Sequence, residues 1–111
     1  MVGIDEYPGK KLDHAVDDAH AIKTLLEEKG ACVWYNENCT IYDLWHLIYS
    51  FLYSLRKDDV ALVYFAGHAV EANHILRLEA LPRRGQKHKR DYFLSLERLR
   101  LRCAKHIRDL C

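Results

Sequence analysis

The sequence predicts an α/β domain: a three-layer α-β-α sandwich whose central sheet is mainly parallel. Three observations lead there. Strand-like runs alternate with helical patterns along the chain, the order that builds a parallel sheet with helices on both faces. VALVYFA, residues 60 to 66, is a continuous apolar, β-rich run of the kind a central strand shows when both its faces are covered. The chain has 111 residues, half of them apolar and 30% charged, with a net charge of +1. That is the profile of one soluble globular domain, and no repeat or linker divides it.

Taken in order, Met1 to Ile4 reads as the remnant of an apolar strand, followed by a turn at Tyr7-Pro8-Gly9. From Asp17 to Lys29 the residues Ala19, Ile22, Leu25 and Leu26 recur at helical spacing, and Gly30 stands where a glycine would stop the helix. Residues 31 to 35, ACVWY, read as a strand. Thr40 followed by Asp43 resembles a capping box and opens a helix with the stripe Ile41, Leu44, Trp45, Ile48, Leu52 and Leu55. The aromatic residues of 34 to 53 fall mostly on that stripe, so they read as core rather than a stacking platform.

After the strand at 60 to 66, ILRL (75 to 78) forms a short strand and PRRGQKHKR (82 to 90) a basic, turn-forming loop. Ser95 then caps a helix through about Ala104, with Leu96, Leu99 and Cys103 on one side. A weaker strand is expected at 106 to 110.

Several function classes are disfavoured. No G-x-x-x-x-G-K or G-x-G-x-x-G loop is present for a nucleotide, and His14/His20 and His68/His74 are six apart, not the three or four that share a helix face, so no metal or cofactor is expected. Residues 1–59 carry 6 basic and 11 acidic side chains, residues 60–111 carry 11 and 5. This basic half is one loop and one helix, which argues against a nucleic-acid partner. The start MVGIDEYPGKK lacks a basic n-region and an apolar h-region, and no apolar run approaches a membrane span, so the expectation is a cytoplasmic protein with no membrane partner. Cysteines at 32, 39, 103 and 111 make no C-x-x-C pair and read as free thiols.

Ligands bind an open parallel sheet beyond the carboxyl ends of its strands. Two reagents lie at such ends: His68, just after residues 60 to 66, and Cys111, after residues 106 to 110. An imidazole beside a thiol can take its proton and make a nucleophile for acyl transfer. Taken alone, a strand-end histidine is more often a polar loop residue, and a buried cysteine a small hydrophobe.

The ordered set L12-x-x-A15-x-D17-D18-A19, then V60-A-L-V-Y-F-A-G-H68, then D109-L-C111 resembles the caspase-type cysteine peptidases (peptidase C14), and within them the paracaspase and metacaspase branch. The resemblance covers nearly the whole chain and implies a partial p20-type catalytic domain over residues 1–111, a fragment of a longer enzyme, acting on a polypeptide substrate. It makes His68 the catalytic histidine and Cys111 the nucleophile, 43 residues on, with the N–H of Ala69 in the oxyanion hole. Asp18 and Asp109 match the acidic positions of the first specificity pocket, and Leu12 stands where a true caspase would carry a cation. Two carboxylates suit a guanidinium fork, so cleavage after Arg, less well after Lys, is implied. Asp18 would equally suit a helix N-terminal turn.

The chain departs from the family pattern in three places. Ala69 replaces the usual second glycine of G-H-G, where a positive φ would strain an alanine. Arg108 falls inside what should be an apolar strand before the nucleophile, and Cys103 is a competing nucleophile, though it lacks an aspartate two residues earlier. These departures support an alternative that keeps the fold without the chemistry: a pseudopeptidase serving as a scaffold, a homodimerisation module or the partner of an adaptor protein.

Overall fold

The computed structural model describes residues 1–83, 85, 86 and 92–110. Its elements run β1 (Val2–Gly3), α1 (Ala15–Glu28), β2 (Asn36–Glu37), α2 (Ile41–Ser54), β3 (Phe65–Ala66), β4 (Ala69–Ala72), β5 (Ile75–Glu79), β6 (Phe93–Ser95) and α3 (Leu96–Leu110). Among the described residues β2, β1 and β3 form a parallel sheet with β1 in the middle, and β4, β5 and β6 an antiparallel one. A single parallel bridge from Thr40 to Leu81 joins the region after β2 to the end of β5. The architecture is mixed α/β, as expected, but the antiparallel sheet is an addition to the expected one.

Helix α1 begins at Ala15, two residues earlier than its apolar spacing suggests, because its N-terminus is satisfied from a distance. His14 provides no side-chain cap, and the Asp5 carboxylate instead accepts from the Val16 N–H at 3.0 Å. At the other end Gly30, with φ of +90°, donates to the Glu27 carbonyl while the Ala31 N–H reaches Leu26. This is the Schellman arrangement that a glycine permits without a Cβ penalty. The helix buries only its small residues, Ala15 and Ala19, and leaves Leu25 exposed.

Helix α2 follows its sequence closely. The Thr40 hydroxyl accepts from the Asp43 N–H, and Ile41, Leu44, Ile48 and Leu52 are buried, with Trp45 and Leu55 packed at the margin. These side chains meet Val2, Ile4, Tyr7, Leu94 and Leu99 in one core. Tyr42, Tyr49 and Tyr53 are exposed, so all three tyrosines of this helix lie outside the core that was expected to hold them.

Three strand expectations change. Residues 31–35 form no strand, and pairing begins only at Asn36. Of residues 60–66 only Phe65 and Ala66 pair, Val60 being 98% exposed. The reason is positional: β3 is an edge strand among the described residues, so the run before it has no second neighbour to cover it. Residues 106–110 are helical, continuing α3 from Leu96 to Leu110. Read as a helix, Arg108 lies in the last turn, where a cation meets the negative end of the helix dipole, and the discord of an arginine in a buried strand disappears. The basic loop at 82–90 lies largely outside the described residues.

Candidate active site

The parallel sheet carries the loops after β1, β2 and β3 to one end, the end at which open α/β sheets bind ligands. Each loop is fixed by its own residues. After β2, Asn38 adopts a left-handed φ of 47°, and its side-chain oxygen accepts from the N–H groups of Asp5 (2.8 Å) and Glu6 (3.2 Å). After β1, Tyr7-Pro8-Gly9-Lys10 closes a turn with a Lys10 N–H to Tyr7 C=O bond and a φ of +71° at Gly9, the combination of a type II turn. That turn delivers the Lys10 carbonyl to the imidazole of His68, 3.0 Å from Nε2.

A carbonyl only accepts, so Nε2 carries the proton and Nδ1 is left with its lone pair. The ring, half-buried, leans on Tyr7 with centroids 4.5 Å apart and planes at 52°. Its backbone is held on both sides: the His68 N–H donates to the Tyr7 hydroxyl at 3.0 Å, and the His68 carbonyl accepts from Glu79 N–H at 3.0 Å. Glu79 is 3% exposed, and its carboxylate is paired with the Lys10 ammonium at 2.6 Å. A buried carboxylate without such a partner would be costly, so this pair ties the Lys10 turn to the end of β5.

Ala69 begins β4 and its backbone is extended, so the strain expected of an alanine with positive φ does not arise. Because Glu79 bonds His68, the next pair, Ala69 and Leu78, is of the open type, and the Ala69 N–H points away from β5. Asp18 lies exposed in the first turn of α1, beside Asp17. Asp109 lies on α3, where it lines a shallow pocket with Tyr49, Tyr53, Arg102, Lys105 and His106; neither Asp18 nor His68 borders that pocket. Cys111 lies outside the described residues. Tyr7, Lys10, Asn38 and Glu79 were not singled out in the sequence; only the Tyr7-Pro8-Gly9 turn signalled that this loop would fold tightly.

The other thiols are poor nucleophiles or remote. Burial, with Asp43 adding to it, pushes the Cys39 thiol up to about 11, and burial raises Cys103 as well. Cys32 and Cys103 line a mostly apolar cavity of about 150 Å³, whose walls include Trp34, Leu47, Phe51 and Leu99. His68 does not line that cavity. Because the folded Cys39 holds its proton to a higher pH than the unfolded thiol does, its contribution to stability is complete below about pH 9 and is lost as pH rises through about 11. A urea midpoint that falls between those pH values, and falls less in Cys39→Ala, is the expected result.

The caspase domain family model matches residues 1–109. The chain belongs to the caspase domain family. No curated protein matches the chain. The match takes in β1 to β6 and nearly all of α3, and the mixed α/β fold described above is the caspase-like one. The family is one of cysteine-type protein hydrolases, so the caspase-domain chain is cysteine-peptidase-like. Among the described residues no helix is long and apolar enough to cross a membrane.

Proposed function

We propose that this caspase domain is a cysteine endopeptidase that cleaves after arginine, and less well after lysine, with His68 as the acid-base group and Cys111 as the nucleophile. The observation that carries the reading is the hydrogen bond from His68 Nε2 to the Lys10 carbonyl. It orients the ring and leaves Nδ1 free, at the strand end where substrates lie.

In this mechanism Nδ1 takes the thiol proton, and the thiolate attacks the carbonyl carbon of the residue before the scissile bond. The oxyanion forms against the outward Ala69 N–H. His68 then gives its proton to the departing amine, and water, deprotonated by the same nitrogen, releases the acid and restores the thiol. Asp18 supplies an acidic wall for the arginine guanidinium. Asp109 is assigned to that pocket by the D109-L-C111 motif alone, since it sits on α3. The same motifs support the paracaspase and metacaspase branch, a p20-type catalytic domain and a polypeptide substrate.

The test is covalent labelling of the 111-residue chain with an arginine-directed and an aspartate-directed electrophilic peptide, the adduct located by mass spectrometry. Modification of Cys111 by the arginine probe alone is expected. A folded chain that takes no adduct, or takes both probes equally on exposed Cys32, would replace the peptidase with a scaffold that keeps only the fold.

A further inference from the structure

We propose that Tyr7 is a positioning residue for His68: its hydroxyl is spliced into the β4·β5 ladder between the His68 N–H and the Glu79 carbonyl, and so sets where the imidazole leaves the backbone. The consequence for catalysis rests on the peptidase reading above; the geometry does not.

In an antiparallel pair of the narrow type, two residues exchange both of their N–H to C=O bonds. His68 and Glu79 make one of these directly, Glu79 N–H to His68 C=O at 3.0 Å. The second is relayed: the His68 N–H donates to the Tyr7 hydroxyl at 3.0 Å, which donates to the Glu79 carbonyl at 2.8 Å. An oxygen between the strands holds the His68 amide away from β5, while the ring's Nε2 lies 3.0 Å from the Lys10 carbonyl. The phenol ring also forms one wall of the imidazole.

Two further observations show that the segment is built around this oxygen. Tyr7 is 2% exposed, so bulk water has no path to stand in for it. A Cβ on Gly67 would lie 2.4 Å from the hydroxyl, so the residue before His68 has to be a glycine for the hydroxyl to fit. Burial holds the phenol well above its usual range, and the proton it gives to Glu79 stays in place.

Tyr7→Phe keeps the ring and removes only the relay. The test is NMR of the ¹⁵N-histidine-labelled chain at about pH 8.5, where imidazoles are neutral, with amide exchange and probe labelling alongside. In the parent chain a single Nε2–H tautomer of His68 and a protected His68 amide are expected. In Tyr7→Phe a mixture of tautomers is expected, together with at least about tenfold faster exchange at His68 and slower labelling by the arginine probe. Leu44 and Ile48 in α2 should keep their protection, which separates a local release from general loss of stability.

A Tyr7→Phe chain with one tautomer and an unchanged His68 amide would overturn the proposal. So would a parent chain whose His68 amide exchanges freely, a result that stands even if the variant does not fold. If the tautomer shifts but neither chain is labelled, Tyr7 positions His68 and the peptidase reading fails. Equal labelling of both chains with unchanged spectra leaves the peptidase and removes Tyr7 from it.

Discussion

Replacing His68 with alanine is expected to slow modification by the arginine-directed probe about a thousandfold, the middle of the range for a positioned acid-base group. The fold should hardly register the change. The bonds that tie residue 68 into the structure are made by its N–H and C=O, to Tyr7 and Glu79, and alanine keeps both. What is lost is the half-buried ring and its Nε2 contact with Lys10. Labelling rates and urea midpoints measured on the same preparations separate the two effects. A loss of labelling that merely tracked a falling midpoint would assign His68 to structure instead. Lys10→Ala is the informative companion, since the carbonyl that orients His68 belongs to the backbone and survives. It removes the partner of a buried carboxylate, so the larger effect should appear in stability, with the labelling of the folded fraction less affected.

Gly3→Ala is expected to cost about 3 kcal/mol, the upper part of what overpacking a well-filled site does. A Cβ at this position would lie 2.8 Å from the Ala19 Cβ, 2.9 Å from the Ala15 carbonyl oxygen and 2.9 Å from the Val16 Cα. Two of those three atoms are backbone, so no side-chain rotation relieves the clash. Helix α1 must lift away from β1, which is the central strand of the parallel sheet. A domain of this size is stable by only about 5–15 kcal/mol, so a loss on this scale is a sizeable share of it. Urea denaturation checks the value, with Gly9→Ala as the contrast. Nothing lies within 4 Å of a Cβ at Gly9, and the strain there is confined to a φ of +71°. A drop of about 1 kcal/mol is expected for that variant. Equal losses at the two glycines would show that α1 packs on β1 more loosely than the distances imply.

The legible parts of the fold were those written in local chemistry. The Thr40 cap and the stripe from Ile41 to Leu52 define α2 because a hydroxyl at the first turn and apolar residues on one face act within a few residues of one another. Gly30 likewise closes α1 through bonds to Glu27 and Leu26, all within one turn. The misread parts depend on neighbours. VALVYFA has the composition of a central strand, yet a strand exists only where another strand pairs with it, and here only Phe65 and Ala66 have one. Residues 106 to 110 carry too few apolar side chains to favour either state strongly. They follow the helix already running from Leu96, with Arg108 suited to its end.

The candidate site divides in the same way. The sequence by itself determined that a histidine follows an apolar strand after a glycine, that a Tyr-Pro-Gly turn lies near the start, and that the motifs around them are those of a caspase domain. Only the tertiary structure decided which atoms meet the histidine. The Lys10 carbonyl, the Tyr7 hydroxyl and the Glu79 backbone are separated from His68 along the chain by 58, 61 and 11 residues. No periodicity or spacing encodes such contacts, because a carbonyl and an amide are common to every residue. They acquire a role only when the two sheets bring these chain segments together.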